Sequence, residues 1–107
     1  MSWDDYQIEI PPSFSAVHSD ARGRLAVPLA ELRARYEVCE DLAQVLVDQA
    51  GLLYHTQAPS EGEVLRRIHA GLATPDSVVG PGEARWVVQR LAELLNWPCP
   101  PLVDGGM

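Results

Sequence analysis

Residues 28–57, PLAELRARYEVCEDLAQVLVDQAGLLYHTQ, decide the fold. Leu29, Leu32, Tyr36, Cys39, Ala43, Leu46, Ala50 and Leu53 recur in alternating steps of three and four, the spacing of a helical seam. Pro28 suits a first turn, because the N–H it lacks is one a helix start leaves unbonded anyway. Gly51 costs about 1 kcal/mol relative to alanine but does not stop a helix, so the element extends towards Gln57, with Pro59 as its limit. Spread at about 100° per residue, Val38, Leu42, Val45 and Leu52 form a second apolar band beside the seam. Arg33, Glu37, Glu40, Asp41, Gln44, Asp48 and His55 fill a polar wedge. A helix apolar round most of its circumference belongs in the middle of a bundle, with both bands buried. Leu42 and Leu46 are then core positions.

Shorter helices flank this one. Ser60-Glu-Gly-Glu63 is a capping box, in which Ser60 accepts from the Glu63 amide and Glu63 reaches back. The helix it opens carries Val64, Leu65, Ile68 and Leu72 and ends near Gly71. A loop holding Thr74-Pro-Asp76 and Gly80-Pro-Gly82 follows. Pro81 and Glu83 open a last helix that runs to about Asn96, ahead of Trp97-Pro98. Upstream, Tyr6-Gln-Ile-Glu-Ile10 alternates apolar with polar, the period of an extended segment, and Pro11 and Pro12 end it. Ser13 caps a short helix through Ala21, with Gly23 as its stop. The expectation is an all-α fold: a small bundle of three main helices plus a short N-terminal helix. It forms a single domain over 1–107, with an extended arm (1–12), a helical body (13–97) and a proline-rich tail (98–107) in which no pattern folds alone. Leu25-Ala-Val27, apolar and just before a proline, is the arm's expected pairing partner. A partner protein or a second copy of the chain is the other solution for Tyr6, Ile8 and Ile10.

Composition narrows the function classes. Fifteen acidic residues against eight basic give a net charge of −7, which disfavours nucleic acid and anionic membranes as partners. All eight basic residues are Arg. Without Lys there is no Schiff-base chemistry and no Walker-type phosphate loop. The start Met-Ser-Trp-Asp-Asp-Tyr6 is unlike a signal or transit peptide, and aliphatic runs are as short as Val45-Leu-Val47, so a cytoplasmic location is expected. Two distant cysteines, Cys39 and Cys99, suggest reduced thiols, with Cys39 a small buried hydrophobe.

Three stretches carry a resemblance: Ile8-Glu-Ile-Pro-Pro-Ser-Phe14, Arg35-Tyr-Glu-Val-Cys-Glu-Asp-Leu-Ala-Gln44 and Trp86-Val-Val-Gln-Arg-Leu-Ala-Glu-Leu-Leu-Asn-Trp97. Together they resemble a group of short, uncharacterised proteobacterial proteins, sometimes labelled ATPases with chaperone activity. The resemblance implies a shared small helical family and transfers no catalytic residue. The chain departs from the label in having neither a phosphate-binding glycine loop nor a lysine.

No catalytic motif, cofactor site or metal motif emerges, so the chain is expected not to be an enzyme. Glu37, Glu40 and Asp41, with Asp48 and His55 further on, could hold a hard cation. A solvated acidic face, or one that receives Arg66 and Arg67 or a basic partner, accounts for them as well. Ser13, Ser15 and Ser19 near His18 lack a Gly-x-Ser-x-Gly turn. The last two helices are separated by too long a loop for a helix-turn-helix, and Glu83, Arg85, Gln89 and Glu93 mix signs where recognition residues would lie.

The last helix places Trp86 and Trp97 opposite its core stripe, with Arg90 beside them, and Trp and Arg are enriched in binding hot spots. The leading expectation is a non-catalytic cytoplasmic adaptor or accessory protein that binds another protein through Trp86, Arg90 and Trp97, with Tyr6, Ile8 and Ile10 as a second contact. The arm or tail folding back over the tryptophans is the competing explanation. A small metal-dependent protein or enzyme built on Glu37, Glu40 and Asp41 is the alternative function.

Overall fold

The computed structural model describes residues 9–57 and 60–102. It contains four helices: α1 (Pro12–Val17), α2 (Leu29–Thr56), α3 (Glu61–Leu72) and α4 (Pro81–Leu95). The architecture is the all-α bundle of three main helices with a short N-terminal one. Tyr6 and Ile8 lie outside the described residues; of the three expected arm contacts only Ile10 is described, half-buried against the core.

Local chemistry sets the helix ends. Pro11 caps α1, Pro12 occupies its first turn, and Ser13 lies inside it instead of capping it. The proline ring, preset to helical φ, starts the helix one residue early. The chain then turns: Asp20 Oδ1 accepts from the amides of Arg22 and Arg24, and Gly23 takes φ +81°. This turn lays Leu25 antiparallel to Ser19, and the Ala26 amide donates to the His18 carbonyl at 2.7 Å. Leu25 and Ala26 therefore pair with the segment after α1, where a tight Asx turn closes a short loop; the expected pairing with Tyr6 and Ile8 lies outside the described residues.

Pro28 caps α2, which passes Gly51 unbroken to Thr56. Ser60 Oγ accepts from the Glu63 amide at 3.1 Å and caps α3. The Glu63 carboxylate completes no box; it turns to Arg67 and Arg66 on its own helix. Asn96 ends α4 in the left-handed conformation, with the Trp97 amide bonded to the Ala92 carbonyl and its own amide to Glu93. That is a Schellman ending, followed by a proline that prevents continuation.

The middle of the bundle is α4, not α2. It packs against α1, α2 and α3, and Ala84, Val87, Val88 and Leu91 are fully buried. The long helix lies against α4 and α3 along one side only. Its seam residues Leu32, Cys39, Ala43, Leu46 and Ala50 are buried, while Leu29 is exposed and Leu42 half-buried. The second apolar band is uncovered, contrary to the expectation from its sequence. With a short α1 and a twelve-residue α3, no helix among the described residues covers it. Beyond α4 the tail does not stand free as far as Leu102. A side chain at Gly62 would touch the Pro100 ring, and Leu102 leans on the core. Prolines already restricted in φ lose little entropy in lying there.

Candidate functional site

Val38, Val45 and Leu52, seven residues apart, are 40%, 71% and 64% exposed. At about 100° per residue they fall within roughly 40° of one another, a straight stripe about 21 Å long on the side of α2 turned from α4. Isolated exposed Leu or Val needs no explanation, but three in register on one helix face call for one. Glu31, Asp41 and Asp48 lie within roughly 60° of the stripe, with Glu37 just beyond. All four are exposed, and none forms an ion pair among the described residues. No Arg or His of α2 falls in that arc. Arg35, the nearest cation, is drawn away to α4.

The expected wedge of carboxylates is split by α4. Glu40 accepts two bonds from Arg90, at 2.9 Å from Nε and 3.1 Å from Nη2, while Arg90 Nη1 reaches Glu93. Hydrogen bonding to Arg90 holds the Glu40 carboxyl below its usual range despite partial burial. Arg90, not Arg66 or Arg67, thus receives the wedge. Among the described residues no group of three or more His, Cys, Asp or Glu side chains could hold a metal ion, so Glu37, Glu40 and Asp41 do not form the imagined cation site.

Trp86, Arg90 and Trp97 do not form one face. Trp86 is 5% exposed, and its Nε1 donates to Ser13 Oγ at 3.0 Å. Phe14 meets the Trp86 ring edge-on at 5.0 Å, and Tyr36 packs on both rings. The side of α4 opposite its aliphatic stripe is covered by α1, so Trp86 is core. Trp97 is half-buried at the other end of α4 against Tyr54, with ring centres 5.4 Å apart. A cleft of about 300 Å³ lies between Pro11, Ser13, Tyr36, Trp86 and Arg90. The Trp86 N–H is spent on Ser13 and the Arg90 fork on Glu40, so these groups hold the cleft together instead of facing a ligand.

Glu83 is the residue sequence reasoning misplaced most. It is 4% exposed and tied to three segments. Arg35 donates from Nε at 3.0 Å and from Nη2 at 2.7 Å; His18 Nε2 lies 2.7 Å away, and the Gly80 amide donates at 3.2 Å. Burial pushes its carboxyl up, but the bonds from Arg35 and His18 outweigh this and hold it below the usual carboxylate range. Arg35 also bonds the Val78 carbonyl. The cluster ties α1, α2 and the loop before α4 to the helix start. His18 is thereby placed with Glu83, Ser13 with Trp86, and Ser19 Oγ with the Ser15 carbonyl, so among the described residues no serine–histidine pair assembles. Cys39 is fully buried, and burial chiefly pushes its thiol up to about 12, which makes it a packing residue and not a nucleophile.

Comparison with known proteins gives no match to a family model, to a curated protein or to a solved structure.

Proposed function

We propose that the protein is a non-catalytic adaptor that binds another protein through the outer face of α2. The observation that carries this reading is the uncovered stripe Val38–Val45–Leu52. It extends over four turns of a helix whose other side is buried in the core from Leu32 to Ala50. Exposing three aliphatic side chains in register sacrifices burial worth about 25 cal/mol per Å². A second protein seated on the stripe would recover it. Trp86 takes no part in this contact, and Arg90 only supports α2 from behind through Glu40.

A photo-reactive amino acid placed at Val45, and in a control at exposed Ala70 of α3, tests the reading in cells that naturally make the protein. A discrete adduct from position 45 and none from position 70 is the expected result. Equal labelling from both positions, or none from 45, would overturn it.

A further inference from the structure

We infer that the occupant of the α2 face is an amphipathic helix with a cationic rim, contributed by a different protein. This rests on the reading of α2 as the contact surface and adds the chemistry of what it binds. The stripe has the form of a helix seam: Val38, Val45 and Leu52 repeat every seven residues, and half-buried Leu42 with exposed Gln49 takes the intervening four-residue steps. Such a seam receives the side chains of a second helix between its own. A strand would match a two-residue period, which the face does not have.

Charge selects among helices. Asp41 and Asp48 immediately precede Leu42 and Gln49 and border the seam on its open side, Glu31 stands at its N-terminal end and Glu37 beyond. Asp41, Asp48 and Glu37 form no ion pair among the described residues, and Glu31 meets Arg35 only through space while Arg35 is held by Glu83. A helix bearing Lys or Arg beside its apolar residues would neutralise this border, and opposite charges across an interface raise association rate and suppress wrong partners.

The same border argues against a second copy. Antiparallel packing of two α2 stripes sets the Asp41/Asp48 edge of one against the Asp41/Asp48 edge of the other, between molecules of net charge −7. Residues 1–8 suit the face no better, since Asp4 and Asp5 are their only charged side chains.

Three labelled peptides of about three heptads provide the probe: Leu at the seam with Lys on the rim, the same seam with Glu on the rim, and a scrambled Lys peptide with no apolar face. Fluorescence anisotropy with the full chain should show the amphipathic Lys peptide binding at least about tenfold more tightly than either other peptide. Val45→Glu/Leu52→Glu should abolish that binding, and Asp41→Asn/Asp48→Asn should weaken it and flatten its salt dependence. Equal binding of the scrambled peptide, or binding that survives the seam variant, would overturn the inference. A dimer in sedimentation that Val45→Glu/Leu52→Glu dissociates would overturn it in favour of a second copy. Should the peptides fail while the Val45 adduct forms in cells, the surface stands and the occupant's chemistry is wrong; failure of both removes the surface as well.

Discussion

Arg35 on α2 grips Glu83 on α4 with two bonds, Nε to Oε2 at 3.0 Å and Nη2 to Oε1 at 2.7 Å, across 48 residues of sequence. The pair fixes the position of α2 against the central helix, and with it the direction in which the uncovered stripe points. Hydrogen bonding to Glu83 raises the pKa of Arg35 further, so the guanidinium stays charged throughout the range in which the protein folds.

Removing one partner of a buried pair strands the other. Arg35→Ala leaves Glu83 buried with only His18 and the Gly80 amide, and should cost about 3 kcal/mol, the lower end for such losses because Arg35 is partly exposed. Urea unfolding at neutral pH measures it; a loss under about 1 kcal/mol would show that the grip is not needed for the packing of α2.

Acid should unfold the protein through the same pair. Glu83 and Glu40 are both held below their ordinary range, so each binds its proton more readily when unfolded. Their stabilisation is complete above the unfolded value, about pH 4.3, and is lost as pH falls through the lower folded values. Glu83→Gln should lower stability at pH 7 and flatten the decline between about pH 5 and 3. A decline as steep as that of the unaltered protein would place the acid-sensitive group elsewhere.

Trp86→Ala should behave as a core truncation and destabilise by about 3–5 kcal/mol, and Leu46→Ala by about 2–5. Half-buried Leu42→Ala should cost less than Leu46→Ala. Ser13→Ala, which removes the acceptor of the Trp86 N–H, should cost about 1 kcal/mol. Urea midpoints at constant slope decide these, and an unaffected Trp86→Ala variant would contradict the burial of the ring beneath α1.

The cysteines give a chemical check. At pH 8 a disulfide reagent should modify one thiol per folded chain, exposed Cys99, and reach buried Cys39 only on unfolding. Rapid modification of two thiols would contradict a closed seam on α2.

What was legible in the sequence was local. Ser60 before Glu63, Gly80-Pro81 and Asn96-Trp97-Pro98 mark helix ends through chemistry confined to a few neighbouring residues, and the caps stand where that chemistry puts them. The seam Leu32–Cys39–Ala43–Leu46–Ala50 follows from periodicity alone. Periodicity shows which faces of a helix are apolar, however, and not which face a neighbour covers. The band Val38–Val45–Leu52 therefore reads like core and is surface, while Trp86 reads like surface and is core. Trp86 is buried by Phe14 and Ser13, more than seventy positions away. Glu83 could be read as a helix-start acid, but its partners His18 and Arg35 leave no signal near it.

If the stripe is spare to the fold, its substitution should leave stability alone. Val45→Glu/Leu52→Glu should shift the unfolding free energy by no more than about 0.5 kcal/mol, as ordinary surface changes do. A loss of 2 kcal/mol or more, the scale of a core truncation, would mean that the stripe is covered within the chain.

Another protein, as proposed, sits on this stripe. The yield of adduct from a photo-reactive residue at Val45 in living cells, compared with and without Leu52→Glu, tests it most directly. The account requires a discrete adduct that the substitution abolishes in a chain that still folds. An adduct formed undiminished beside Glu at position 52 would contradict it.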